Sequence, residues 1–83
     1  MRVRVRLFAT YREIVGRGDL PWTLSEGGTL GDLLEDLLAE HPGLKPHRGS
    51  MLLAVNREFA TRDVRLRPGD EVAMMPPVSG GAP

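Results

Sequence analysis

The C-terminal residues of the chain are ordered in a way that suits a segment inserted into another protein. The stretch reads Met75-Pro76-Pro77-Val78-Ser79-Gly80-Gly81-Ala82-Pro83. Proline fixes φ and lacks an N–H donor, so the Pro76-Pro77 pair keeps the chain extended as it leaves a folded body. Gly80 and Gly81 carry no side chain that could obstruct a narrow channel. The order of these residues therefore predicts a projecting arm that is rigid at Pro76-Pro77 and has no side chains at Gly80-Gly81. The composition alone is also typical of a frayed terminus.

Other residues that could do chemistry do not form a convincing site. The chain has no cysteine, which excludes a thiolate zinc site and a cysteine nucleophile. His41 and His47 flank a Pro/Gly loop without further ligands, so the sequence predicts no metal site. Gly27-Gly28 precedes a predicted helix but is not followed by the Lys-Ser/Thr of a phosphate-binding loop. We therefore expect neither a self-contained enzyme nor a cofactor bound by this chain.

Size and charge narrow the class of protein further. With 83 residues the chain can form one small domain around one core. Its eleven basic and eleven acidic residues cancel, so no net field attracts nucleic acid or a membrane surface. No apolar run reaches membrane-spanning length. We expect a soluble, cytoplasmic protein without a nucleic-acid or membrane partner.

The first half of the chain predicts two strands with a short helix between them. Apolar and arginine residues alternate over residues 2–7, which is the pattern of a half-buried strand. Residues 9–15 predict a short helix that Gly16 and Gly18 end. A second alternating segment follows at 20–24. It contains Pro21, which cannot donate to a ladder, so this strand is predicted at a sheet edge.

The clearest predicted element is a long amphipathic helix. Its leucines fall at i, i+3, i+4, i+7 and i+8 and form one stripe, at Leu30, Leu33, Leu34, Leu37 and Leu38. Thr29 with Asp32 three residues later resembles a capping box. The acidic residues lie opposite the leucine stripe on a solvated face, which gives no pocket for acid–base catalysis; they are Asp32, Glu35, Asp36 and Glu40. The helix is predicted to end at His41-Pro42-Gly43, and residues 44–50 are predicted as a loop.

The second half predicts two more strands and a turn-rich connection. Residues 51–55 form a short apolar run typical of a central strand, followed by a turn at 56–58 and an irregular or short strand. Residues 67–70 (Arg-Pro-Gly-Asp) are a second turn signal, and 71–75 predict the last strand. One helix packed across one face of a mixed sheet accommodates these elements. We predict an α+β, β-grasp (ubiquitin-like) domain over residues 1–77 and a flexible tail over 78–83.

The last strand also suggests a surface for a partner. Adjacent strand residues point to opposite faces, so one of Met74 and Met75 should face the core and the other the open side of the sheet. An exposed methionine adapts well to a partner, although a plain strand end explains it equally. With their neighbours, the residues assigned to a possible partner surface are Met74, Met75, Pro76, Pro77 and Phe8.

Three segments of the chain resemble a known family. Residues 66–81 (Leu-Arg-Pro-Gly-Asp-Glu-Val-Ala-Met-Met-Pro-Pro-Val-Ser-Gly-Gly) are similar to the C-terminal signature of the small subunit of molybdopterin synthase, the MoaD-type sulfur carrier of the MoaD/ThiS family. Leu7-Phe8-Ala9, followed by Tyr11-Arg12-Glu13 and Gly16, and Val55-Asn56 are also similar to that family. Met75 stands where relatives often carry Phe or Leu.

The resemblance implies a β-grasp fold and a function at the terminal glycine. An E1-like adenylating enzyme would use ATP to convert the Gly81 carboxylate into an acyl-adenylate. A persulfide protein would then serve as sulfur donor and convert the adenylate into a thiocarboxylate. The large molybdopterin synthase subunit would accept the tail in a channel and transfer the sulfur to a pterin precursor. Val78, Ser79 and Gly80 would line that channel.

The dipeptide Ala82-Pro83 departs from the family pattern. A Gly81 whose carboxyl group is in an amide bond cannot be adenylated. We expect a precursor that a protease trims, unless the extension blocks this paralogue. Other interpretations stay open: a sulfur carrier for thiamine or tRNA thiolation, a ubiquitin-like modifier joined to lysines through Gly81, and a structural domain with an inert tail.

Overall fold

A five-stranded mixed sheet forms the framework of residues 1–77, the part of the chain that the structure, a computed structural model, describes. The elements are β1 (Arg2–Leu7), α1 (Ala9–Val15), β2 (Asp19–Thr23), α2 (Leu30–Glu40), a 3₁₀ helix (Pro42–Ser50), β3 (Leu52–Val55), β4 (Glu58–Phe59) and β5 (Glu71–Met75). The strand order is β2-β1-β5-β3-β4. In residues 1–77 no helix has the length and apolar character needed to cross a membrane.

The two central strands come from opposite ends of the domain. β1 and β5 run parallel, with Arg4 opposite Glu71 and Leu7 opposite Met74. A parallel pair requires a long crossover, and residues 8–70 provide it. β3 then adds antiparallel to β5 on its other side. The predicted α+β, β-grasp arrangement is therefore confirmed, and β5 ends in the middle of the sheet.

The core lies between α2 and one face of this sheet. All five leucines of the predicted stripe are buried, as are Val3, Val5 and Leu7 of β1. Burying one such side chain contributes roughly 1.5–3 kcal/mol, so this layer is the main source of stability. The predicted capping box is present: the Asp32 N–H donates to Thr29 Oγ1 at 3.2 Å, and the Thr29 N–H donates to Asp32 Oδ2 at 3.0 Å.

Strand β2 occupies an edge of the sheet, as Pro21 predicted. The Leu24 N–H donates to the Met1 carbonyl at 2.8 Å, and the Met1 ammonium donates back to the Leu24 carbonyl at 2.6 Å. Hydrogen-bonded pairs alternate along an antiparallel ladder, so the Arg4–Pro21 pair falls at a non-bonded position. The missing N–H of Pro21 therefore faces away from β1, and the free edge offers one donor fewer to a pairing chain.

One segment differs from its predicted structure. Residues 44–50 were predicted as a loop, but they belong to the 3₁₀ helix Pro42–Ser50. The prediction was wrong because proline and glycine there exclude an α-helix without excluding short i→i+3 turns. The Leu44 N–H donates to the His41 carbonyl at 2.9 Å, and the Leu44 side chain is fully buried. That anchor holds the segment against the helical layer.

Two turns are tied together at one end of the sheet. Asn56 and Arg57 have φ of 51° and 72°, as a two-residue turn between β3 and β4 requires. The Asn56 side chain donates to Asp70 Oδ1 at 2.9 Å and accepts from the Glu71 N–H at 3.0 Å. Asn56 thus links the β3–β4 turn to the start of β5, which fixes the position of Arg57 relative to the sheet.

Candidate functional site

The side of the sheet away from α2, here called the open face, has a charged half and an apolar half. Residues opposite one another in register share a face. One row crosses all five strands and consists of Asp19, Arg6, Ala73, Ala54 and Phe59. Towards the start of β1 the face also carries Arg2 and Arg4. Towards β4 it becomes apolar.

A concavity of about 440 Å³ lies in the apolar half of the open face. Its lining consists of Arg6, Phe8, Ala54, Arg57, Phe59, Glu71, Ala73 and Met75. Ala54 and Ala73 are directly opposite each other on adjacent strands, and larger side chains surround them. The hollow therefore results from two small residues in the centre of a ring of long ones. Such a hollow suits an apolar side chain that projects from a partner protein.

The two methionines of β5 point to opposite faces, as alternation requires. Met75 is partly exposed and lines the concavity. Met74 is fully buried in the core. The assignment of Met74 to the partner surface is therefore wrong, because its side chain belongs to the α2 side of the sheet. Met75 opposes Leu52 on the open face, and Leu52 is 36% exposed.

Phe8 reaches the open face through an unusual backbone bend. Its N–H donates to the Met74 carbonyl at 3.2 Å, so β1 and β5 are still paired there. The next residue, Ala9, has φ of 51°. This is the left-handed region, which residues other than Gly, Asn and Asp seldom adopt. The chain turns into α1 at this point and leaves the Phe8 ring 38% exposed beside the concavity.

Arg6 is held in place at the border between the two halves of the face. Its Nη1 lies 3.3 Å from Glu71 Oε2, and its guanidinium carbon lies 5.5 Å from the Phe8 ring centre. Two residues earlier on β1, Arg4 pairs with Asp19 of β2. The hydrogen bond from Arg4 holds the pKa of the Asp19 carboxyl below its usual value, and the same contact raises the pKa of Arg4.

Phe59 and Arg57 are site residues that the sequence did not single out. Phe59 is 78% exposed, the most exposed of the large apolar side chains in residues 1–77. It sits on a two-residue strand, too short for an alternation pattern to show which way its side chain points. The one usable signal was the turn at 56–58, because the strand after such a turn pairs back on β3.

The predicted arm begins directly at this face. β5 ends at Met75, Pro76 is partly buried and Pro77 is exposed. The predicted channel residues Val78, Ser79 and Gly80, the predicted thiocarboxylate site Gly81 and the dipeptide Ala82-Pro83 lie outside the described residues. The contacts expected for Met75, Pro76, Pro77 and Phe8 with a partner stay a prediction.

Parallel central strands crossed by one long helix define the β-grasp, the ubiquitin-like class of small protein. Within that class the chain belongs to the ThiS family, whose model matches residues 5–81. The match includes both glycines of the tail. It confirms the family resemblance drawn from the sequence.

Comparison with individual proteins agrees with this family. The chain is 36% identical over 81 residues to the molybdopterin synthase sulfur carrier subunit of Arabidopsis thaliana, covering 98% of this chain and 84% of that protein. The crystal structure of small archaeal modifier protein 1 (SAMP1) from Haloferax volcanii superposes with a TM-score of 0.87 at 30% identity, covering 98% and 100% of the two chains.

A third similar structure is a complex. It contains subunits 1 and 2 of the molybdopterin-converting factor from Helicobacter pylori. The matching chain has a TM-score of 0.70 at 28% identity, and the alignment covers 98% of this chain and 100% of that one.

Proposed function

We propose that the chain is the sulfur carrier subunit of a molybdopterin synthase. The observation that carries the proposal is the position of β5. This strand lies between β1 and β3 and ends at Met75, on the rim of the apolar concavity. The segment matching the family's tail therefore starts from the face best suited to a partner. The sulfur carrier from Arabidopsis thaliana, similar over 98% of this chain, supports the same function.

The chemistry proposed for Gly81 follows from the poor reactivity of a carboxylate. A partner adenylating enzyme joins the Gly81 carboxylate to the α-phosphate of ATP and releases pyrophosphate. A persulfide on a donor protein then attacks the acyl carbon and displaces AMP. Reductive cleavage of the S–S bond by a thiol leaves the thiocarboxylate on the carrier. The carrier itself supplies the acyl group and binds no cofactor.

The concavity would hold the carrier on the enzyme that uses the sulfur. Ala54 and Ala73 leave room for an apolar side chain, while Phe8, Phe59 and Met75 surround it. We assign this surface to the large synthase subunit. The similar chain from Helicobacter pylori, which was determined in complex with its subunit 2, supports that assignment.

The proposal requires a free carboxylate at Gly81. In this chain Ala82-Pro83 follows Gly81 through an amide bond. An amide cannot be adenylated, so the chain must be cleaved after Gly81 before the first step. A protease specific for the Gly81–Ala82 bond would provide the active form.

The test uses three versions of the chain that differ only at the end. One ends at Gly81, one retains Ala82-Pro83, and one ends at Gly80. Each is incubated with the adenylating enzyme of the same source, ATP and a sulfur donor, and intact mass is measured. We expect one oxygen to be replaced by sulfur only in the version that ends at Gly81. No exchange in that version, with a demonstrably active adenylating enzyme, would refute the proposal.

A second candidate function is protein modification. It is favoured by the TM-score of 0.87 with small archaeal modifier protein 1. In that case the activated Gly81 carboxyl would form an isopeptide bond with a lysine amine. Peptide mass spectrometry on lysates expressing the tagged chain ending at Gly81 would detect such bonds. Their presence, dependent on Gly81, would establish this second role.

A further inference from the structure

Arg57 is the one charged residue lining the concavity that forms no ion pair within residues 1–77. Arg6 and Glu71, which also line the hollow, form an ion pair with each other. Within residues 1–77 Arg57 takes part in no salt bridge and no side-chain hydrogen bond. Its side chain is exposed, and its backbone position in the β3–β4 turn is fixed through Asn56.

A partner that fills the concavity would remove the Arg57 guanidinium from water. Burying an unpaired charge is strongly unfavourable, whereas a carboxylate at hydrogen-bond distance compensates for the lost hydration. Arginine is also well suited to such contact, because its planar fork binds both oxygens of a carboxylate. Among the described lining residues Glu71 is the one carboxylate, and it already pairs with Arg6.

We propose that the protein covering this face places a carboxylate against the guanidinium of Arg57, so that Arg57 determines which partner fits and in which orientation. This proposal rests on the function proposed above, since it concerns the subunit that receives the tail. It adds the chemistry of that subunit's contact surface, which is apolar at its centre and acidic where it meets the β3–β4 turn.

The distribution of charge over the whole domain supports an acidic partner. The open face carries four arginines against two carboxylates, namely Arg2, Arg4, Arg6 and Arg57 against Asp19 and Glu71. On the other side of the domain, α2 carries four exposed carboxylates and no basic residue, and one of the four, Glu35, pairs with Arg48 of the neighbouring 3₁₀ helix. A chain with no net charge is thus basic on the open face and acidic on the helix. Such a dipole turns the open face towards an acidic surface during encounter.

The test compares Arg57→Gln and Arg57→Lys in the full domain ending at Gly81. Binding to the large synthase subunit of the same source is measured by biolayer interferometry at low and high salt. We expect Arg57→Gln to weaken binding at least about tenfold, mainly through faster dissociation. Arg57→Lys should lose less, because it keeps the charge but not the bidentate geometry. Arg65→Gln, which removes an exposed arginine next to the N-terminus of α2, is the charge-matched control and should bind as the wild type.

A mutant cycle identifies the partner group. Carboxylates of the large subunit are changed singly to amides. When one particular carboxylate is changed, adding Arg57→Gln should weaken binding no further than the change in the large subunit alone. Circular dichroism melts of each variant should match the wild type, which excludes an effect through folding.

Three results would overturn the proposal. Arg57→Gln that binds within twofold of wild type, while Phe59→Ala loses binding, would remove the role of Arg57 and leave the docking face intact. If Arg57→Gln and Phe59→Ala both bind as tightly as the wild type, the open face is not the docking surface. The sulfur exchange at Gly81 would still test the carrier function independently. Concentration-dependent dimers that Arg57→Gln abolishes would identify a second copy of this chain as the occupant.

Discussion

Replacing Phe59 by alanine should separate binding from stability. Phe59 is 78% exposed, so its ring makes few contacts within the domain. Surface substitutions away from caps, charges and strained backbone usually change the free energy of unfolding by less than about 0.5 kcal/mol. The thermal unfolding midpoint should therefore stay close to that of the wild type. The ring nonetheless stands at the rim of the concavity, where a docked partner would cover it.

The expected loss of affinity follows from the exposed area. A covered aromatic side chain buries about 150–250 Å². The 78% of Phe59 that is now exposed corresponds to about 120–200 Å², or about 3–5 kcal/mol at about 25 cal/mol per Å². An alanine at this position would still be covered over part of that area. The entropy cost of ordering the Phe59 side chain at the interface reduces the difference in binding free energy further. We therefore expect a loss of about 2 kcal/mol, or about 30-fold in Kd.

Titration calorimetry against the large synthase subunit measures this loss. Ile14→Ala is the matched control, because Ile14 is 36% exposed on α1 and does not line the concavity. It should leave Kd unchanged. If Phe59→Ala binds within twofold of the wild type, or if Ile14→Ala weakens binding as much, Phe59 is not part of the docking surface.

Three further predictions concern the domain itself. Ala9→Gly should raise the free energy of unfolding by about 0.5–1 kcal/mol in urea titrations. An alanine in the left-handed region costs about 1–2 kcal/mol, and the larger entropy of glycine in the unfolded state offsets about half of the gain from relieving it. A loss of stability would contradict this account of the bend after Phe8. Arg4→Gln should raise the pKa of Asp19 towards its ordinary value in a ¹³C NMR titration, since Arg4 is the main cause of its lowering. Because the folded-state pKa is the lower one, the pair stabilises the fold above the unfolded pKa of about 3.9, and this contribution is lost as pH falls through the folded value; an unchanged titration would show that Arg4 is not the cause. Tyr11→Phe should change the free energy of unfolding by less than about 1 kcal/mol, because the buried Tyr11 hydroxyl makes no well-formed hydrogen bond among residues 1–77, and a contact with Ser50 offsets only part of the rise that burial gives the pKa of Tyr11. A loss above about 2 kcal/mol in the same titrations would show that the Tyr11–Ser50 hydrogen bond is strong.

Elements with a clear period were predictable from the sequence. β1 and α2 each bury one face, so apolar residues recur along each element with the period of its secondary structure. Pro21 marked the edge strand because its missing donor is tolerated only there. The 3₁₀ helix Pro42–Ser50 was missed, since proline and glycine exclude an α-helix without indicating what replaces it.

The docking face was only partly predictable. Phe8 and Met75 were both assigned to it and both line the concavity, since Phe8 directly follows β1 and Met75 ends β5. Met74 was placed there wrongly, since the sequence shows that two adjacent residues face opposite ways but not which way each faces. Arg57 lies in the two-residue turn after β3 and Phe59 lies on β4, so only the pairing of β4 with β3 brings them to the concavity.

The sequence by itself predicted the chemistry of the tail, because the order of residues 76–81 is a local covalent property that needs no partner in space. It also determined the layered fold, through periods that reflect one-sided burial. The tertiary structure alone decided where the tail starts and what lies beside it. Pairing of β5 between strands from distant parts of the chain places Ala73 opposite Ala54 and brings Arg6, Arg57 and Phe59 around them. Such a surface is assembled from long-range contacts, and no single segment carries its pattern.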